Sequence, residues 1–210
     1  MSELDQVVFI VDDDEDIRTS LSRALEMRGY STRVFASAQA FLDAYDADLM
    51  GCLILDYGMP QISGLELQSA LVARGATLPI IFITGHGGVP ESVQAMKLGA
   101  IDFLEKPFRQ ETLIKQIDAA FISDARSRQG HARARNARRM FESLTERERE
   151  IAQLLVSNPS SSSSKDVARH LEISPRTVDH HRSRVLEKMQ VSSVAELVDL
   201  SISTGLFDKG

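Results

Sequence analysis

At 210 residues, 43% apolar and with a net charge of −6, the chain can fill either one large core or two compact ones. Its single cysteine, Cys52, excludes an intramolecular disulfide and suits a reducing cytoplasm. No apolar stretch approaches the roughly 20 residues of a membrane span, and the start Met1-Ser2-Glu3-Leu4-Asp5 lacks a signal peptide's basic end and apolar core, so a cytoplasmic protein with no membrane partner is expected. Charge is uneven: residues 1–123 carry 9 Lys+Arg against 18 Asp+Glu, and residues 124–210 carry 15 against 12. An acidic module joined to a mildly basic one fits this split, the basic one being the natural candidate for contact with a polyanion.

Val7-Val8-Phe9-Ile10-Val11 is apolar on both faces, as a central parallel strand must be. Helical periodicity follows through Ile17, Leu21, Ala24 and Leu25 to Gly29, and Ser31 to Phe35 reads as an edge-like strand. Leu53-Ile54-Leu55 and Pro79 to Ile83 are buried strands, with Cys52 packed as a small hydrophobe, and Ile101 to Leu104 is a weaker fifth. Helices fit near 38–46, 63–73 and 89–97 and after 107. Five repeats of strand then helix predict a parallel α/β sheet covered on both faces, with functional groups at the carboxyl ends of its strands.

From 123 to 141 the pattern changes to an Arg- and Ala-rich segment with scarcely any large apolar residue, expected as a linker that can be helical. Residues 142–210 then form an all-α block of four helices. Thr145-Glu146-Arg147-Glu148 is a capping box opening a helix through Val156, and Ser193-Val194-Ala195-Glu196 is another opening the last helix, which Gly205 can end. Two shorter helices, near 165–171 and 175–189, flank the turn Leu171-Glu172-Ile173, with Ser174 as N-cap and Pro175 as first helical residue of the second. The pair is a helix-turn-helix candidate. The run Pro159 to Ser164 reads as a mobile loop before it.

Asp12-Asp13-Asp14 follows the first strand and Asp56 ends the third, so adjacent strands bring several carboxylates together. Left alone they would repel; such hard oxygen ligands suit Mg²⁺. An N-cap role accounts for Asp14 or Glu15 but not for three consecutive acids.

Val11-Asp12-Asp13-Asp14, Leu55-Asp56-Tyr57-Gly58-Met59-Pro60, Ile83-Thr84-Gly85 and Glu105-Lys106-Pro107-Phe108 together resemble the signature of two-component receiver domains. The resemblance implies a flavodoxin-like, doubly wound five-stranded parallel sheet of order 2-1-3-4-5 over residues 1–122. It implies Asp56 as the phosphoacceptor for a sensor histidine kinase, and Asp12, Asp13, Asp56 and the backbone carbonyl of Gly58 as ligands of Mg²⁺. Lys106 and Thr84 would hold acyl-phosphate oxygens, and Phe103 occupies the aromatic switch position, with an ordinary core residue as the alternative there. Metal-dependent phosphohydrolases also use a strand-end aspartate, but typically with a second acid two residues later, where this chain has Gly58.

Ser143-Leu144-Thr145-Glu146-Arg147-Glu148-Arg149-Glu150, with Ile173 to Arg182 and Leu186-Glu187-Lys188-Met189, resembles the LuxR-type helix-turn-helix, and the order of the two parts resembles the FixJ/NarL family. Val178, Val185, Leu186 and Met189 supply the inner face of a recognition helix, while Ser174, Arg176, Thr177, Asp179, His180, Arg182, Ser183 and Lys188 are the candidate contacts to double-stranded DNA. The family commonly has valine at the position of His180, lysine or glutamate at that of Asp179, and no serine run. The combined resemblance implies a transcription regulator, an activator that homodimerises on phosphorylation and works with RNA polymerase. It implies no enzyme beyond its own phosphoryl transfer and slow dephosphorylation. The alternative is a constitutive DNA-binding regulator whose receiver is only an interaction module.

Overall fold

The computed structural model describes residues 6–85, 89–157 and 163–207, with backbone alone for 89–91. Contacts divide the chain into two units, Met1–Ser127 and Arg128–Gly210.

In the first unit, β1 (Val7–Val11), β2 (Ser31–Phe35), β3 (Gly51–Asp56), β4 (Ile80–Thr84) and β5 (Asp102–Glu105) form one sheet of order β2-β1-β3-β4-β5 with every pairing parallel. β3 and β4 are buried along their whole length, which is why their sequences read as unbroken apolar runs. β3 starts two residues earlier than the apolar run suggests. Gly51 has φ +133° and a Cβ there would lie 1.9 Å from the Val7 carbonyl oxygen, so only glycine permits this approach to β1.

Alternation sends Phe9, Val11, Leu53, Leu55 and Phe82 to one face, with Phe41, Leu67, Leu71 and Ala95. Val8, Ile10, Ile54, Ile81 and Ile83 go to the other, with Leu21, Leu25, Leu113 and Ile117. The first face is covered by α2 (Ala38–Ala44), α3 (Gly64–Ala73) and α4 (Val89–Lys97), the second by α1 (Glu15–Glu26) and the first turns of α5 (Gln110–Glu142). Each large side chain so buried contributes about 1.5–3 kcal/mol. Local signals set the helix starts: Asp14 caps α1 through the amides of Asp16 and Ile17, and Ser63 and Glu66 form a capping box on α3.

The segment expected as a linker lies wholly within α5. Asp124 is buried and accepts the Gly51 amide at 3.0 Å, tying that turn to the first unit. Near the other end, Ala137, Met140 and Phe141 belong to the core of the second unit.

That core joins α6 (Glu146–Ser157), α7 (Ser164–Leu171), α8 (Pro175–Lys188) and α9 (Val194–Thr204) around Leu144, Ile151, Leu155, Val167, Val178, Val185, Met189 and Leu197. Ser163, Ser174 and Ser193 cap α7, α8 and α9, and Gly205 ends α9 in the left-handed conformation. Thr145 and Glu148 make the expected capping box. At α9 the box is displaced: Glu196 accepts from the amide and hydroxyl of Ser192 rather than from Ser193. Of the serine run, residues up to Ser162 lie outside the described residues, while Ser163 and Ser164 start α7.

Candidate functional site

The register pairs Val11 with Leu55, Asp56 with Ile83 and Thr84 with Glu105, so the carboxyl ends of β1, β3, β4 and β5 deliver Asp12, Asp56, Thr84 and Lys106 side by side. Asp12 is 1% exposed, Asp56 7% and Thr84 2%. The Lys106 ammonium donates to Asp12 Oδ2 and to Asp56 Oδ1, each at 2.8 Å. The remaining oxygens are held from the backbone: Asp12 Oδ1 accepts the Asp14 amide at 2.9 Å, and Asp56 Oδ2 accepts the Gly58 amide at 2.7 Å. The Lys106 amide in turn donates to the Thr84 carbonyl at 2.7 Å, fixing β5's exit beside β4.

Burial pushes the Asp12 carboxyl up from its ordinary value, against the opposing bonds from Lys106 and the Asp14 amide. Burial works to lower Lys106, but its hydrogen bonds to Asp12 and Asp56 and their charges outweigh it and raise the ammonium above the ordinary lysine value. One ammonium thus serves two carboxylates and leaves the pocket with an excess negative charge.

Among the described residues no three side chains of metal-ligating type converge. Asp13 is exposed, and Asp14 is spent on capping α1. The Asp12 and Asp56 pair nevertheless fits a hard divalent cation, which takes one or two carboxylates and keeps its waters.

Phe103 is half-buried, its ring packed 6.0 Å from Tyr57 and 5.9 Å from Phe82. Two neighbours of the site escaped sequence reading. Arg18 donates to the Asp12 carbonyl at 2.8 Å. A Cβ on Gly64 would stand 2.5 Å from the Asp56 carbonyl oxygen, so α3 starts hard against the end of β3.

In the second unit α7 ends on Glu172 in the left-handed conformation (φ 54°) and α8 starts at Pro175, the short turn a helix-turn-helix requires. Val178, Val185 and Met189 are buried and Leu186 packs against them. On the opposite side Ser174, Arg176, Thr177, Asp179, His180 and Ser183 are exposed, and Arg182 is half-buried. Ser174 accepts the Thr177 amide at 3.1 Å, and Asp179 accepts a hydrogen bond from the Ser164 hydroxyl.

Lys188 departs from expectation. Its ammonium lies 2.6 Å from Glu148, a carboxylate only 5% exposed, and also reaches the Ser143 carbonyl. It closes α8 onto the start of α6 instead of facing outward. The Lys188 hydrogen bond is the main reason the Glu148 carboxyl is held below the ordinary glutamate value.

A family profile described as response regulator receiver domain matches residues 8–118, and one described as bacterial regulatory proteins, luxR family, matches residues 142–201. The transcriptional regulatory protein FixJ of Bradyrhizobium diazoefficiens is 39% identical over 96% of this chain and 97% of its own. The chain belongs to the FixJ/NarL family of response regulators. FixJ of Azorhizobium caulinodans is 43% identical over 95% of this chain and 93% of its own. Among solved structures, the response regulator StyR matches with TM-score 0.81 and 38% identity over 94% of this chain and 98% of its own. Full-length FixJ from B. japonicum matches at 0.58 and 38% over 97% and 98%. This FixJ/NarL member is accordingly a two-component response regulator acting in transcription, with a sensor kinase and DNA as its partner classes. Among the described residues no helix is long and apolar enough to cross a membrane.

Proposed function

We propose that Asp56 is the phosphoacceptor and that its phosphorylation drives homodimerisation and sequence-specific DNA binding, through which the protein activates transcription with RNA polymerase. The observation that carries this reading is the Lys106 ammonium held 2.8 Å from both Asp12 and Asp56 at the ends of β1 and β3.

An Asp56 carboxylate oxygen attacks the phosphorus of the kinase's phosphohistidine. An O–P bond forms as the P–N bond breaks, and the imidazole leaves. Asp12, Asp13, Asp56 and the Gly58 carbonyl would hold Mg²⁺, which supplies charge neutralisation to the transferring phosphoryl oxygens. Lys106 keeps a fixed positive charge beside Asp56, ready for the product's added charge of about −2. Thr84, at the neighbouring strand end, donates its hydroxyl to another acyl-phosphate oxygen. As the Thr84 hydroxyl moves toward the acyl phosphate, the ring of Phe103, packed against Tyr57 and Phe82, turns inward and remodels the surface of α4, β5 and α5.

In the reading unit, the exposed face of α8 enters the major groove. Ser174 and Thr177 suit phosphate contact at the helix N-terminus, while Arg176, Asp179, His180, Arg182 and Ser183 stand where base edges and flanking phosphates would lie. Lys188 is left out of this set because Glu148 claims it. The protein is incubated with Mg²⁺ and acetyl phosphate, and binding to a regulated promoter fragment is compared for wild type and Asp56→Asn. A gain confined to the wild type is expected; equal binding supports the constitutive alternative.

A further inference from the structure

Gln68 lies in α3 with 1% of its surface exposed, among Leu67, Leu71 and the other residues of the core beneath α3 and α4. Its Nε2 donates to the Ala95 carbonyl in α4 at 3.1 Å, a fully buried bond between the two helices. Its Oε1 is the one buried side-chain polar atom among the described residues with no hydrogen-bond partner. Such an acceptor weakens the fold. The bond made by the other end does not rescue an orphaned group either, because the Ala95 carbonyl already accepts the Ala100 amide at 3.1 Å. The cost of the orphaned oxygen is accepted at a position whose other end ties α4 to α3, as expected where function constrains a residue.

The bond falls at one end of α4. Ala95 stands two residues before the last residue of the helix, and both Ala95 and Ala100 are buried, whereas Val93 and Met96 expose nearly half of their surface. We propose that Gln68 is a positioning residue that pins the C-terminal turn of α4 to α3. The response to phosphorylation is then a pivot of α4 about Ala95, largest at the end that follows Thr84. This rests on the reading of Asp56 as phosphoacceptor and adds where the switching helix is held and where it is released.

Amide hydrogen exchange on the full chain, bare and after treatment with acetyl phosphate and Mg²⁺, tests it. In wild type, exchange at Val93 and Gln94 responds to phosphorylation while the Ala100 amide does not. In Gln68→Met, and in Gln68→Leu as a second apolar shape, the Gly99 and Ala100 amides of the bare protein accelerate about three- to tenfold, the Leu71 amide of α3 stays unchanged, and the phosphorylation response spreads to Ala100. Unchanged exchange at Ala100 in both variants overturns the proposal, as does equal acceleration throughout α3 and α4, the mark of a generally loosened fold. Mass spectrometry of the same sample separates the two failures: a wild type that carries phosphate but whose α4 does not respond overturns the pivot alone, and one that takes no phosphate removes the reading of Asp56 while the bare-protein comparison still tests the tie.

Discussion

At the scale of single residues, Lys106 is the group whose removal separates chemistry from folding most clearly. Lys106→Met keeps the stem and deletes the charge shared by Asp12 and Asp56. Phosphorylation by acetyl phosphate is expected to slow by about a hundredfold, the usual scale for losing one fixed charge partner of a transferring group; a rate within threefold of wild type, followed by mass spectrometry, would remove Lys106 from the chemistry. Two buried acids with shifted titration, Asp12 and Glu148, act in opposite directions. Asp12 is raised by burial, so what it adds to stability is present at low pH and declines as pH rises through its folded value. Glu148 is lowered, chiefly by Lys188, so its contribution is full above the ordinary glutamate value of about 4.3 and is lost as pH falls through the folded value. Glu148→Gln is accordingly expected to flatten the acid side of the second unit's pH–stability curve. Thermal melts between pH 3 and 7 check this, and an unaltered acid limb contradicts it. Asp12 and Asp56 were legible in the sequence because each stands at the end of an apolar strand, and strand ends of a parallel sheet meet; Thr84 and Lys106 were carried by the resemblance to receiver domains. Lys188 was not legible: helical spacing places it near the outward set, and only tertiary contact brings it to Glu148, 40 positions earlier in the chain.

At the scale of elements, the start of α3 shows what spacing leaves out. Gly64 could be read as part of a helix start, but not its approach to the Asp56 carbonyl and the Phe82 ring, where a Cβ would meet atoms at 2.5 and 2.8 Å. Gly64→Ala is expected to destabilise the first unit by about 1–3 kcal/mol through overpacking and to slow phosphorylation of Asp56. Urea titration and the acetyl phosphate rate check the two effects, and a variant normal in both would show that the loop yields without moving the site. In α5 the Arg- and Ala-rich stretch lacked large apolar residues and so resembled a solvated linker; alanine, arginine and glutamine are good helix formers, and Ala137 needs no large side chain to be buried. On α8, sequence pattern separated the inner from the outer face correctly at Val178 and Val185 but could not rank the polar residues. Arg176→Ala is expected to weaken DNA binding and to reduce its salt slope by about one. Lys188→Met is expected to cost about 1–3 kcal/mol of stability while leaving the slope intact. Identical salt slopes for Arg176→Ala and wild type would take Arg176 away from the phosphates.

At the scale of the whole molecule, the uneven charge and the change of periodicity after residue 122 foretold an α/β part and an all-α part, and the sheet order and the four C-terminal helices agree. The point where contacts divide the chain, between Ser127 and Arg128, falls inside the segment expected as a linker and inside one helix with no turn signal. Function at this scale is coupling: a charge of about −2 added at Asp56 must change what α8 does on DNA, and coupling of about 1–3 kcal/mol corresponds to roughly 5–150-fold in affinity. The most direct measurement is the affinity of the full chain for a promoter fragment recovered by genomic footprinting, with and without acetyl phosphate and Mg²⁺, for wild type and Asp56→Asn. A gain of at least fivefold on phosphorylation of the wild type, absent in Asp56→Asn, is predicted. Equal affinity in all four states would contradict a phosphorylation switch and leave the receiver as an interaction module on a constitutive DNA-binding protein.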